Sequence, residues 1–599
     1  MTAFSAAKYA GPPTPFELKC QKLAQSHRPD AERLTELQKS YWDYLMHETP
    51  EFATELGYPG AAAGSWSDDS LDAIHRRERE ISAPLKVLAT IHAKKLGAKD
   101  QDNYELLKYH FTMQQEGLPF PGHLLALNQM GGAPLRAAEF LNQMPTAKVK
   151  DFENRLERLR GLPRVLQQTT DLLKEGLKEG IVEPKVIMQK LPAQLDLFAS
   201  ADPTKNPLLV SFKEMPITFS QADRDRILKE ARSILVDIDV PAYVGLKEFI
   251  TQSYIPKCRD TIGYKDLPNG EAWYNHRVKR STTTDLRPSE IHAKGLAEIQ
   301  RIHSEYDEVM KQTGFKGTLP EFLLYLRTDR KFFFTTGPEI IKDARDIAKR
   351  IDPELSRLFG LLPRLTYGVR PTPEYMEKSQ AAAYYESGSV LTGRPGWFYL
   401  NTSMPDKTTR WDMESTILHE AVPGHHLQIS LAMENGELPE FRKHGEYTAY
   451  VEGWALYAES LGKELGMYKD PYAYAGRLSD EAMRAVRLSV DTGLHSMGWS
   501  REQAIKFFID NTGKHESFAT SEVDRYIAWP SQALSYKIGE LKIKELRARA
   551  EAKLGAAFDI RKFHDLVLKG GAVPLSFLDV TVDRWIQTTL GAQGKNTGG

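Results

Sequence analysis

Eight residues, His419-Glu420-Ala421-Val422-Pro423-Gly424-His425-His426, constrain this chain more than any other stretch. They hold three histidines and one carboxylate, with Ile417-Leu418 ahead and Leu427, Ile429 and Leu431 behind. Neutral imidazole is the commonest zinc ligand, and a Glu beside it is the usual base in metal-assisted hydrolysis. The plain alternative is a polar helix end with a solvated histidine pair. The apolar flanks argue against it.

In the common zinc-peptidase pattern two histidines four residues apart share one helix face. Here Pro423 stands four residues after His419. On a straight helix His425 is turned by roughly 600° onto another face, and His426 lies roughly 10 Å along the axis. Two ligands of one zinc cannot be that far apart. Proline inside a helix collides with the carbonyl four residues back, here that of His419, and Gly424 permits the resulting bend. If two residues loop out, His425 becomes the second ligand; if three do, His426.

The rest of the chain is patterned for helices. Leu34, Leu37, Tyr41 and Leu45 recur at three- and four-residue steps. Similar patterns run over 71–91 with Ser70 as a cap, and over 100–116, 147–180, 221–253 (interrupted at Pro241) and 411–570. Pro288 suits a first helical turn. Gly131-Gly132-Ala133-Pro134 and Asp266-Leu267-Pro268-Asn269-Gly270 read as turns. Lys331-Phe332-Phe333-Phe334 and Gly396-Trp397-Phe398-Tyr399-Leu400-Asn401 read as short strands. The expected fold is mainly α, a large helical metallopeptidase-like body with a small β-sheet near the active site. It divides as an N-terminal helical lobe (1–280) and a C-terminal catalytic lobe (281–599), or runs on as one body.

With 79 Lys and Arg against 80 Asp and Glu, there is no electrostatic footprint for nucleic acid or a polybasic membrane patch. No apolar run reaches the length of a membrane span or signal-peptide core, and the two cysteines, Cys20 and Cys258, are too few for a disulfide framework. A cytoplasmic location is expected.

A catalytic zinc needs a third protein ligand and an open position. Glu452, within Tyr450-Val451-Glu452-Gly453-Trp454-Ala455-Leu456-Tyr457, is the candidate, because an unpaired carboxylate among apolar and aromatic neighbours is costly. Glu446 is its rival. Glu459, seven residues on along the same face, is placed to orient a ligand.

These stretches resemble a large family known as domain of unknown function 885. The likeness extends over Leu267–Tyr274, Thr284–His292, Arg394–Asn401, Asp491–His495 and Glu522–Lys537, covering the chain from about 30 to 590. Family members are described as candidate zinc metallopeptidases, and many are bacterial lipoproteins. By looser analogy the motif is similar to His-Glu-x-Gly-His helical peptidases with a distant ligand Glu. The Gly-His-x-Leu match at Gly424-His425-His426-Leu427 favours His425.

The expectation is a peptidase holding one Zn²⁺ through His419, His425 and Glu452, with Glu420 as general base and short peptides as substrate. His495, Tyr526 and Tyr536, from the family-like stretches, are candidates to stabilise the tetrahedral intermediate. The strand bearing Tyr399 and Asn401 is a candidate edge for pairing with substrate backbone. Arg394, Arg525 and Lys537 are candidates for a terminal carboxylate. The alternatives are a zinc-dependent amide or small-molecule hydrolase, and a catalytically silent binding protein.

Overall fold

A long apolar stripe explains the longest helix of the first unit, α1 (Val149–Glu179). Phe152, Leu156, Leu159, Leu162, Leu166 and Leu173 are buried along one side, while its lysines and glutamates turn outward. Gly180, at φ +70°, ends it in the left-handed conformation that glycine adopts without strain. The structure is a computed structural model and describes residues 10–373, 377, 382–390 and 393–596. The chain divides into two compact units, Met1–Ile262 with Asp266–Gly270, and Gly263–Lys265 with Glu271–Gly599.

The first unit is helical. Ser70 caps Leu71–Glu80, its hydroxyl accepting from the Ala73 N–H at 3.3 Å. Pro241 does not interrupt its helix as expected. A π-helical turn at Leu235–Asp239 precedes it, and the widened ladder accommodates the proline in the first turn of Val240–Phe249. Cys20 and Cys258 are free and buried.

The second unit holds the site. Its helix α2 (Pro288–Thr313) opens with proline in the first turn, where no N–H is missed. A three-stranded sheet lies further along the chain: β1 (Tyr367–Pro371), β2 (Ala383–Glu386) and β3 (Gly396–Leu400), in the order β1-β3-β2. β3 lies parallel to β1 and antiparallel to β2, with Tyr385 opposite Phe398. Lys331–Phe334, expected as a strand, is not one. The Asp329 carboxylate accepts from the Lys331 N–H and winds Arg330–Phe332 into a 3-10 turn, leaving only an isolated bridge from Phe333 to Thr409.

Six further helices of this unit bear on the site: α3 (Met413–Glu420), α4 (His425–Glu434), α5 (Thr448–Ser460), α6 (Pro471–Thr492), α7 (Glu516–Ala528) and α8 (Ser535–Leu554). α2 packs along α6, and α5 along α8. The second pair meets at glycines. A Cβ on Gly539 would overlap the Ala449 carbonyl oxygen and sit 2.6 Å from Gly453 Cα, so neither backbone leaves room for a methyl group. Among the described residues no helix is long and apolar enough to cross a membrane.

Candidate metal centre

The predicted bend in the histidine stretch is a full break between two helices. α3 closes with the Ala421 N–H on the Ile417 carbonyl at 2.9 Å. Ala421 then leaves helical geometry (φ −99°, ψ −105°), the Val422–Pro423 peptide is cis, and Gly424 (φ −74°, ψ −130°) starts α4. A Cβ on Gly424 would overlap the His419 carbonyl oxygen, so only glycine fits. The indole of Trp454 on α5 donates to the Pro423 carbonyl at 2.8 Å and fastens the corner.

The break brings His425 back beside His419, with ring centroids 4.9 Å apart and planes at 88°. Glu452, from α5, meets both: its Oε2 lies 3.6 Å from His419 Nε2 and 3.5 Å from His425 Nε2. One ligand atom from each residue falls within 4.8 Å of the other two. At these separations the contacts are too long for hydrogen bonds, and Glu452 Oε2 is a buried oxygen with no hydrogen-bond partner. Ligands at about 2.0–2.1 Å around a tetrahedral ion are about 3.3–3.4 Å apart, so the donor set and spacing fit zinc.

The electrostatics agree. Burial would raise the Glu452 carboxyl, but the two imidazoles outweigh it and hold the group well below the usual carboxylate range. Burial would likewise lower His419, yet Glu452 and Glu459 carry it up to about 10. Glu459, 1% exposed, accepts from His419 Nδ1 at 2.8 Å; that bond leaves Nε2 facing Glu452. Burial raises Glu459 itself. Three carboxylates around two imidazoles, counting the adjacent Glu420, form a site that attracts a cation. Glu420 is half-buried at the end of α3, and no described side chain hydrogen-bonds its carboxylate.

Several expected residues lie elsewhere in the packing. His426 is not an available ligand: Nε2 faces the Leu365 carbonyl at 3.0 Å, Nδ1 faces the Tyr385 hydroxyl at 2.8 Å, and burial lowers it to about 4. Glu446 is exposed and outside the triad. His495, fully buried, has both nitrogens engaged, Nδ1 by the Tyr264 N–H and Nε2 by the Tyr526 carbonyl, so it holds segments together instead of facing a substrate. Lys537, also fully buried, meets Glu298, Glu481 and Glu540 at 2.9, 2.6 and 2.5 Å and has no ammonium proton to offer a substrate.

β3 is the central strand, so the segment carrying Tyr399 and Asn401 has no free edge. β2, packed against α3, is the outer strand on that side. The Tyr399 hydroxyl is taken by Arg370 and its ring stacks on Tyr384. Asn401 bonds the Glu377 carbonyl and the Ser403 N–H, and Arg394 pairs with Glu386 at 2.6 Å. Tyr526, buried, shares Glu522 with Arg487, while Tyr536 and Arg525 stand at 3.3 Å from each other. Reading the sequence missed Trp454 and Arg487. An indole two residues after a candidate ligand was the available signal for the first; nothing local marks the second.

A family model described as "Bacterial protein of unknown function (DUF885)" matches residues 50–582. Among solved structures, the chain is similar to a "putative lipoprotein" from Colwellia psychrerythraea at 26% identity and TM-score 0.87, covering 94% of this chain and 100% of that one. It is also similar in fold to a "putative lipoprotein of unknown function" from Shewanella oneidensis at 17% identity and TM-score 0.66, covering 91% and 98%. No curated protein matches the sequence.

Proposed function

We propose that this chain, which belongs to the DUF885 family, is a zinc-dependent peptidase acting on short peptides. The observation that carries the reading is the convergence of His419, His425 and Glu452 on one point, with Glu420 following His419 directly at the end of α3. His419, His425 and Glu452 would hold the ion, and Glu459 would hold His419 in the right tautomer. Zinc supplies Lewis acidity there, polarising a carbonyl and acidifying water. Glu420 accepts the proton of the attacking water on its carboxylate and delivers it to the departing amine nitrogen. The outer strand β2 beside α3 offers main-chain groups to an extended substrate.

Metal analysis of the purified protein, followed by a panel of di- to decapeptides with and without chelator, tests this. The expected result is one zinc per chain and cleavage that chelation abolishes, with turnover falling at least ~100-fold in Glu420→Gln. Bound zinc with no peptide turnover refutes the peptidase and favours an amide or small-molecule hydrolase on the same centre. A protein that binds no metal refutes both and leaves a binding protein. The sequence points to the cytoplasm, whereas the lipoprotein description of the Colwellia psychrerythraea neighbour weighs toward the cell envelope. Fractionation against markers of each compartment decides it.

A further inference from the structure

One buried cluster of the second unit carries more positive charge than it answers. Arg487 on α6 and Arg525 on α7 share the single carboxylate of Glu522, at 2.8 and 3.4 Å. The Tyr526 hydroxyl fills out Glu522 at 2.5 Å, and the Arg487 guanidinium lies 4.5 Å from the Tyr536 ring centre. Arg487 is 3% exposed, yet its Nη1 has no hydrogen-bond partner, and neither has the buried Nε of Arg525. Guanidinium groups do not deprotonate in proteins, so the cluster keeps a surplus positive charge in a largely buried setting. Elsewhere in this unit the fully buried Lys537 is surrounded by three carboxylates. The shortfall at Arg487 and Arg525 is therefore local.

The cluster is linked to the candidate chemistry through α8. Tyr536 precedes Gly539 by three residues on α8, about 4.5 Å of helix rise. Gly539 is where α8 touches Gly453, the neighbour of Glu452. Arg525 is the cluster's outward member, its side chain 18% exposed. Its Nη2 donates to Gln532 Oε1 at 2.7 Å and to the Tyr536 hydroxyl at 3.3 Å. The half-buried Gln532 thus offers a neutral oxygen where an anionic one would be bound more strongly.

We infer that Arg525, backed by Arg487, receives the free C-terminal carboxylate of a peptide substrate, which displaces the Gln532 carboxamide. The inference rests on the peptidase reading and makes the activity that of a carboxypeptidase or dipeptidase. Gln532 is the gatekeeper: its amide occupies the guanidinium until a carboxylate, with a full charge and two oxygens in the fork geometry, replaces it.

The test uses the zinc-loaded full chain and matched peptides that differ only in a C-terminal acid or amide. The acid is expected to be cleaved at least ~10-fold more efficiently. Arg525→Gln should erase that preference by raising KM for the acid peptide at least ~10-fold, with the zinc content still one per chain. If neither peptide is cleaved, the peptidase reading fails, and calorimetry on the same pair still decides the carboxylate site. Tighter binding of the acid, lost in Arg525→Gln, supports it. Equal handling of acid and amide, or a preference that survives Arg525→Gln, overturns it.

Discussion

Gly539→Ala probes whether the meeting of α5 and α8 sets the metal geometry. The new methyl carbon would sit 2.6 Å from Gly453 Cα and overlap the Ala449 carbonyl oxygen. Carbon atoms in contact settle at ~3.5–4.0 Å, and the oxygen overlap is tighter still, so the helices must part by at least about 1 Å. Glu452 is the residue before Gly453, and its carboxylate would move with α5. Metal sites tolerate only about ±0.2 Å in ligand distance. Zinc affinity is therefore expected to fall at least ~10–100-fold, with an overpacking cost of about 1–3 kcal/mol in stability. Competition against a chromophoric chelator gives the affinity, and circular dichroism checks that the helices persist. Gly436→Ala, where a Cβ meets nothing within 4 Å, is the control and should match the unmodified protein. A folded Gly539→Ala protein with unchanged zinc affinity would refute the claim that this contact positions Glu452.

Two further outcomes are expected. Glu459→Ala strips the acceptor from His419 Nδ1 and should weaken zinc binding ~10–100-fold without altering helix content, as read by the same competition. Asp239 is fully buried with neither carboxylate oxygen hydrogen-bonded, and burial raises its pKa from 3.8 to about 8. The unfolded chain releases that proton near pH 4 and the folded chain near pH 8, so across this window stability falls as pH rises, at up to about 1.4 kcal/mol per pH unit. Asp239→Asn should abolish that slope in denaturant titrations of the full chain; an unchanged slope would mean that Asp239 is not the group responsible.

The helical body could be read from three- and four-residue apolar spacing, and the break at Pro423-Gly424 from the chemistry of those two residues. That His419, His425 and Glu452 lie together was legible in part: a buried acid needs a partner, but the bend admits either His425 or His426, and only the resemblance of Gly424-His425-His426-Leu427 to a peptidase motif favoured His425. What the chain order hides is long-range. His426 is ruled out as a ligand by Tyr385 and the Leu365 carbonyl, far away in sequence. Lys537 is consumed by carboxylates on two other helices, Glu298 and Glu481, as well as by Glu540 on its own. A single strand pattern at Gly396–Leu400 carries no information about having neighbours on both sides. Lys331–Phe334 looks like a strand until the Asp329 carboxylate bends it.

Trp454 and Glu452 stand two residues apart on α5, one gripping the Pro423 carbonyl and the other supplying a donor oxygen. The corner that aims the imidazoles and the acid that completes the trio thus travel as one piece. An arriving ion would find its cradle already assembled. Loading should leave amide exchange in 413–460 almost untouched and occur in a single fast kinetic phase.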